Sequence, residues 1–254
     1  MSKRNTQLRR HAISKLVEES GEVSVEALSH QFETSEVTIR KDLATLEQSG
    51  LLLRRYGGAV ALPKETVHDD FQSKVSVRKV KLAQAAAKLI RDHNRIVIDS
   101  GSTTGALIQQ LNEKKGLVVM TNSLNVANSL NELESEPTLL MTGGTWDTHS
   151  ESFQGQVAES VLRAYDFDQL FIGADGIDLE RGTTSFNELL GLSKVMADVS
   201  REVIVMVESE KVGRKIPNLE LPWKEIDVLV TDDQVKAESV AIIESHNVKV
   251  IQVS

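Results

Sequence analysis

Residues Asp99-Ser100-Gly101-Ser102-Thr103-Thr104 set a carboxylate, a glycine and a run of hydroxyls where the apolar stretch Ile96–Asp99 gives way to a helical pattern through Ala106, Leu107 and Leu111. A glycine there lets the backbone approach a ligand, the hydroxyls and free N–H groups donate, and a helix start adds partial positive charge, which together make a phosphate cradle. The same residues read equally as Ser and Thr capping a helix. The loop is neither a Walker sequence nor G-x-G-x-x-G, so ATP and NAD are not indicated. Similar chemistry recurs after later strand-like stretches. Thr121-Asn122-Ser123 forms a second polar turn into a helix, and Thr142-Gly143-Gly144 offers a glycine pair for close approach to a ligand. Further on come Gly173-Ala174-Asp175-Gly176, then Asn187-Glu188 with Lys194, and Glu208-Ser209-Glu210-Lys211-Val212-Gly213-Arg214. Acids and lysines beside phosphate-cradling loops suit either a protein that binds a sugar phosphate or an isomerase or deaminase that moves protons on one.

A second chemistry lies near the N-terminus. Ser35 and Glu36 open a helix whose apolar stripe is Ile39, Leu43 and Leu46, leaving Thr38, Arg40, Lys41 and Thr45 off that stripe. Such a face suits base edges and phosphates in a major groove. Leu51 to Val60 then reads as two short strands around Arg54-Arg55-Tyr56-Gly57-Gly58, a basic, aromatic-bearing wing that can lie on the phosphate backbone or in the minor groove. Each piece alone also fits a small protein-docking domain; helix, helix, basic helix and basic hairpin in that order are what a winged-helix DNA reader requires.

The elements that position these groups follow from periodicity. Leu8, Ala12, Ile13, Leu16 and Val17 predict a first helix of about three turns ending before Gly21, and Ser24 caps a second that turns Val25, Leu28 and Phe32 inward. The stretch 61–73 is polar and aperiodic and reads as a linker. The next helix has Val77, Val80, Leu82, Ala86, Leu89 and Ile90 as its apolar positions, and its basic set Lys74, Arg78, Lys79, Lys81 and Lys88 reads as a solvated face. Strand-like runs alternating with helices then predict an α/β domain with a mostly parallel sheet: Ile96–Asp99, Leu117–Thr121, Thr138–Thr142, Leu170–Ala174, Val203–Val207, Val228–Thr231 and Val248–Val253. The expected organisation is a winged helix-turn-helix at 1–60, a linker at 61–73 and an α/β effector-binding and oligomerisation domain at 74–254.

Composition bounds the rest. The 254 residues carry a net charge of −8, but residues 1–60 are net +1, with cations clustered at 3–15, 40–41 and 54–55. Cysteine is absent, which removes disulfides and thiolate sites; no apolar run approaches a membrane span, and a cytoplasmic protein is expected. Six scattered histidines predict no metal site, no cofactor is expected, and Trp146 and Trp223 read as packing or interface residues.

The words VSVEALSHQFETSEVTIRKDLATLEQSGLLLRRYGGAV, DSGSTT, MTNSLNVANSL, MTGG, SFQGQVAE, FDQLFIGADGID, TTSFNE and SEKVGR resemble the DeoR-type sugar-operon repressors over nearly the whole chain, nearest to members serving glucitol or N-acetylgalactosamine catabolism. The resemblance implies a repressor without enzymatic turnover. Its larger domain is implied to share the fold of ribose-5-phosphate isomerase and coenzyme A transferases. Its DNA contacts are implied at Ser35, Thr38, Arg40, Lys41, Arg54, Arg55 and Tyr56. It also implies a phosphorylated sugar or sugar alcohol held at Asp99, Ser100, Gly101, Ser102, Thr103 and Thr104. Around the sugar it places Thr121, Asn122, Ser123, Gly143, Asp175, Glu188, Lys194 and Lys211. A homodimer or tetramer on double-stranded operator DNA is implied, with a ligand-dependent activator as the variant reading. Two departures stand out. Lys41 replaces a frequent arginine and loses its bidentate fork, and Glu210 replaces a serine beside Lys211, where a carboxylate facing the pocket would repel phosphate.

Overall fold

The computed structural model describes residues 3–48, 52–55, 57–60, 76–148, 150–186, 190–214 and 216–254. The chain divides into two compact units, Met1–Thr66 and Val67–Ser254. The expected linker at 61–73 lies outside the described residues.

In the first unit, α1 (Lys3–Ser20), β1 (Glu22–Ser24), α2 (Val25–Gln31), α3 (Glu36–Gln48), β2 (Leu53–Arg55) and β3 (Gly58–Val60) surround one core. That core is Ile13, Val17, Val25, Leu28, Ile39, Leu43, Leu46, Leu52 and Ala59. Ser24 caps α2 by accepting from the Ala27 N–H at 3.0 Å, and Ser35 caps α3 by accepting from the Thr38 N–H at 3.2 Å. Three expectations need correction. Helix α1 runs 18 residues rather than three turns. Ala12 is exposed, because Ile13 and Val17, four apart, carry the inward stripe. The wing hairpin forms as expected, β2 against β3 with Arg54 opposite Ala59, but it does not stand alone: β1 joins it in a three-stranded sheet ordered β1-β3-β2, with Val23 opposite Ala59.

The second unit opens with α4 (Val77–Ala87). There follow β4 (Arg95–Ile98), α5 (Ser102–Gly105), β5 (Val118–Thr121), α6 (Leu124–Asn131), β6 (Thr138–Met141), β7 (Thr145–Asp147) and β8 (Ser152–Gln154). Next are α7 (Gln156–Leu162), β9 (Phe167–Ile172), β10 (Gly176–Asp178), β11 (Gly182–Ser185), α8 (Gly191–Asp198) and β12 (Ser200–Met206). The unit ends with β13 (Asn218–Pro222), β14 (Val228–Asp232), α9 (Ala237–Ser245) and β15 (Lys249–Val253). Seven of these strands form one parallel sheet ordered β15-β14-β12-β9-β4-β5-β6. Both faces are covered, so each strand feeds two cores in alternation: Val97, Leu170, Val205 and Leu229 face one, and Ile96, Ile98, Phe171, Ile204 and Val230 the other. That is why these strands read as continuous apolar runs.

Several details differ from expectation. The third strand is followed by the β7–β8 hairpin before any helix, and a separate antiparallel sheet, β10-β11-β13, stands apart from the large one. The helix after Asp99 breaks into α5 and a short 3₁₀ turn, Ile108–Leu111, with Ala106, Leu107 and Leu111 still buried. Val77 is 72% exposed, since the inward stripe of α4 is Leu82, Ala83 and Ala86.

Candidate functional site

The N-terminal unit gathers Arg40, Arg54 and Arg55 around one concave surface. A cavity of about 340 Å³ between α3 and the wing is lined by Val25, Arg40, Leu43, Arg54, Arg55, Gly57 and Gly58. Arg40 and Lys41 are exposed, and Thr38 is half-buried, its hydroxyl 2.9 Å from that of Ser35. Tyr56 lies outside the described residues. Two of these cations already have partners. The Arg40 guanidinium donates to the Glu36 carboxylate at 2.6 Å, and Arg54 donates its backbone N–H to Glu47 at 3.0 Å, with its side chain at 3.7 Å. An exposed i,i+4 pair is worth about 0.3–0.5 kcal/mol, less than the roughly 1–3 kcal/mol of a good bidentate base contact, so DNA can displace Glu36 from Arg40.

The cation cluster at 3–15 splits in role. Arg9 and Arg10 both donate to Asp42, at 2.7 and 2.8 Å, and Asp42 is 2% exposed. The two arginines of the 3–15 cluster tie α1 to α3, and Asp42 within the recognition-helix sequence is the residue that binds them. Val37, 60% exposed beside Thr38 and Arg40, was also not singled out by the sequence. Its position off the Ile39 stripe was the available signal, and its chemistry fits a thymine methyl group.

In the larger unit, β4 is flanked by β5 and β9, so the chain leaves β4 toward one edge of the sheet and later returns to build the other. The crevice at such a switch point is where open α/β sheets bind ligands. The loops that open there are Asp99–Thr104, after β4, and Gly173–Asp175, after β9, and the Asp99 N–H donates to Phe171 at 3.0 Å. Gly101 has φ 135°, a backbone region that favours glycine, and it precedes α5 without a side-chain cap. The first N–H groups of a helix lack intrahelical acceptors, so the backbone from Ser102 presents donors.

Asn122 pins this loop. Its Nδ2 donates to the Asp99 carboxylate at 2.8 Å and its Oδ1 accepts from the Ser100 N–H at 3.1 Å. Other expected ligands have internal duties. The Thr104 hydroxyl donates to the Asp99 and Gly101 carbonyls at 2.9 and 3.0 Å. Thr121 Oγ1 accepts from the Ser123 N–H, and Ser123 caps α6. Of the glycine pair, Gly144 has an internal reason: a Cβ there would sit 2.6 Å from the Gln154 carbonyl, whereas Gly143 faces open space.

Acids gather behind the loop. Asp175 accepts from the Ser185 hydroxyl at 2.8 Å and the Phe186 N–H at 3.0 Å. Asp99 is raised to about 6, chiefly by burial, with Asp175 adding repulsion. Glu220 on β13 is 7% exposed; burial first, then Asp99, raises it to about 8, although Ser193 donates to it at 2.8 Å. Lys211, 8% exposed, donates to the Ala174 carbonyl at 2.9 Å, and Arg214 donates to that of Asp175 at 3.2 Å. Glu210 beside it is exposed, so its carboxylate does not enter this cluster. Lys194 is likewise exposed on α8, while Glu188 lies outside the described residues.

Glu220 enters the site without a signal in the sequence, and Lys79 does not sit on a solvated face as expected. Arg78, Lys81 and Lys88 are exposed, but the Lys79 ammonium donates to Ser102 Oγ at 2.8 Å. Helical phase marks a face as polar; it does not say that the loop beyond the next strand, 23 residues on, will sit against it. Trp223 is packed, stacked on His246 at 5.5 Å, and Trp146 is 39% exposed with Phe153 edge-on at 5.3 Å. Among the described residues no group of acids and histidines could hold a metal ion, and no helix is long and apolar enough to cross a membrane.

Residues 74–233 match the DeoR C terminal sensor domain, and residues 9–65 match the DeoR-like helix-turn-helix domain. A putative aga operon transcriptional repressor of Escherichia coli O157:H7 is 37% identical over 254 residues, covering 98% of this chain and 94% of its own. The HTH-type transcriptional regulator GlpR of Haloferax volcanii is 32% identical over 247 residues, 96% of each chain. Among solved structures, a ribose 5-phosphate isomerase A of Methanocaldococcus jannaschii is similar with a TM-score of 0.38 at 20% identity over 53% of each chain.

Proposed function

This chain belongs to the DeoR family of transcriptional regulators, and from that premise we propose that it represses a carbohydrate catabolic operon and leaves its operator when a phosphorylated sugar or sugar alcohol binds. The observation that carries the effector half is the Asp99–Thr104 loop: it opens at the switch point of the sheet, turns through Gly101 at φ 135° and is locked by Asn122. In this reading the backbone donors after Gly101 and the hydroxyls of Ser100 and Ser102 take the phosphate. Asp99, Asp175 and Lys211 meet the hydroxyls of the sugar. Asn122, Thr104, Thr121 and Ser123 position the loop.

The reader contributes Arg40, Lys41 and Val37 to base edges and Arg54 and Arg55 to phosphates, which the shared cavity of α3 and the wing supports. Two readers on a symmetric operator require at least a dimer of cytoplasmic chains, organised as 1–60, 61–73 and 74–254. The sugar phosphate must bind the operator-incompetent arrangement more tightly for release to follow. A thermal-shift screen of phosphorylated hexitols, hexoses and amino sugars tests the effector half, since a ligand that prefers the folded state raises the midpoint. One active compound, inactive when dephosphorylated, is the expected result; an unresponsive protein across the panel contradicts it.

A further inference from the structure

Helix α4 is the first described element after the DNA reader, and its first turn is held by contacts that meet at the phosphate loop. Ser76 caps α4 by accepting from the Lys79 N–H at 3.2 Å, and the same hydroxyl donates to Glu208 Oε1 at 3.1 Å. Lys79 Nζ lies 2.8 Å from Ser102 Oγ and 4.0 Å from Glu208 Oε2, with its side chain 20% and that of Glu208 14% exposed. One ammonium is thus shared between the loop after β4 and the carboxylate after β12, and that carboxylate also holds the cap of the helix on which the chain enters the sensor unit.

We infer that Lys79 is the cation that binds the effector's phosphate, and that in binding it Lys79 gives up Glu208 and loosens the cap of α4. This rests on reading Asp99–Thr104 as the phosphate seat. The chemistry is direct. An ammonium at hydrogen-bond distance from Ser102 reaches any anion seated on the Ser102 hydroxyl and N–H, and a charge-assisted bond to phosphate is stronger than the looser contact to Glu208. A phosphate dianion beside Glu208 also meets like charge, so the two anions compete for one lysine. Glu208 then loses its counter-ion where Ser76 begins α4. A differential contact of this kind, made in one state and broken in the other, is what coupling between an effector and a distant reader needs.

The test uses the full chain titrated with inorganic phosphate, with chloride at matched ionic strength as control. Binding is followed by the change in tryptophan emission on heating and by phosphorus NMR. Lys79→Met is expected to weaken phosphate binding roughly ten- to hundredfold, Lys79→Arg to restore most of it, and Glu208→Gln to tighten it by removing the competing anion. The opposite signs at Lys79 and Glu208 separate ligation from a merely structural role. Gly101→Val marks the loop itself. If the parent binds phosphate, Gly101→Val abolishes binding and Lys79→Met leaves it within about twofold of the parent, the assignment of Lys79 is overturned and the loop reading stands. If Glu208→Gln leaves the affinity unchanged or weaker, the exchange with Glu208 is overturned. If the parent shows no phosphate binding, the loop reading falls and takes this inference with it.

Discussion

Glu220 gives the most quantitative prediction. Its carboxyl is buried on β13, with Oε1 accepting from the Ser193 hydroxyl, and it faces Asp99 and Asp175 electrostatically. Burial raises it from an ordinary 4.5 to about 8. The folded state therefore holds this proton where the unfolded chain has released it. Stability that is fully present below 4.5 falls as the pH rises, and is lost once the pH has passed about 8. At about 1.4 kcal/mol for each tenfold change in proton activity, the loss accumulated between about pH 5 and pH 9 is roughly 4 kcal/mol. Glu220→Gln keeps the shape and the acceptor for Ser193 while removing the titration. The expected result is a midpoint near the parent's at about pH 5 and higher than the parent's by roughly 10 °C at about pH 9. Tryptophan fluorescence reads this unit alone, because Trp146 and Trp223 are the only tryptophans and both lie in Val67–Ser254. Parallel pH profiles for parent and variant refute the reasoning, since a carboxyl already ionised in the folded protein has no such slope. The functional consequence is a less negative cluster: a neutral Glu220 leaves fewer charges to oppose a phosphate at the loop.

Four further predictions concern the reader and the loop. Arg40→Ala should weaken binding to a selected operator by about 1–3 kcal/mol while sparing random DNA. Arg54→Ala should weaken both and lower the salt slope by about one; equal loss on both sequences from Arg40→Ala, measured by fluorescence anisotropy, would show the base contact to be elsewhere. Asp42→Ala strands Arg9, whose side chain is 9% exposed, and Arg10. At about 3–5 kcal/mol for removing one partner of a buried pair, the reader should unfold while the tryptophan signal of the sensor keeps its midpoint, and circular dichroism with operator binding checks this. Gly101→Val forces a branched side chain to φ 135° and should abolish the response to sugar phosphate while operator binding persists; a variant that still responds places the phosphate somewhere other than this loop.

Which parts of the molecule could be read from its residues follows from how each part is stabilised. The seven strands of the large sheet are buried on both faces, so their apolar runs announce them, and the recognition helix shows itself through Ile39, Leu43 and Leu46 at helical spacing. The antiparallel pieces did not show. Strand β11 is Gly-Thr-Thr-Ser and fully buried, its Thr183 hydroxyl accepting from the Leu221 N–H, so its place in the core depends on cross-strand bonds rather than on apolar periodicity. Strand β1 is three residues long, too short for alternation to register, and its last residue was legible only as the cap of α2. In the candidate site, the glycine and hydroxyls of Asp99–Thr104 were visible because a ligand loop and a helix start share a composition. Which of them are occupied internally was not, because the partners of Thr104 and Asn122 depend on how the loops meet in space. Glu220 and Lys79 come from a distant strand and helix, and neither belongs to a local pattern that marks it.

The proposed regulator joins DNA binding to sugar-phosphate sensing in one chain. Its most direct test is the affinity of the full chain for a DNA site selected from a random pool, measured by anisotropy with and without the sugar phosphate that raises its melting midpoint. The expected result is a sequence-specific complex that the ligand weakens at least tenfold, with Gly101→Val insensitive to the ligand. A complex tightened by the ligand, or unchanged by every phosphorylated sugar that binds, contradicts it.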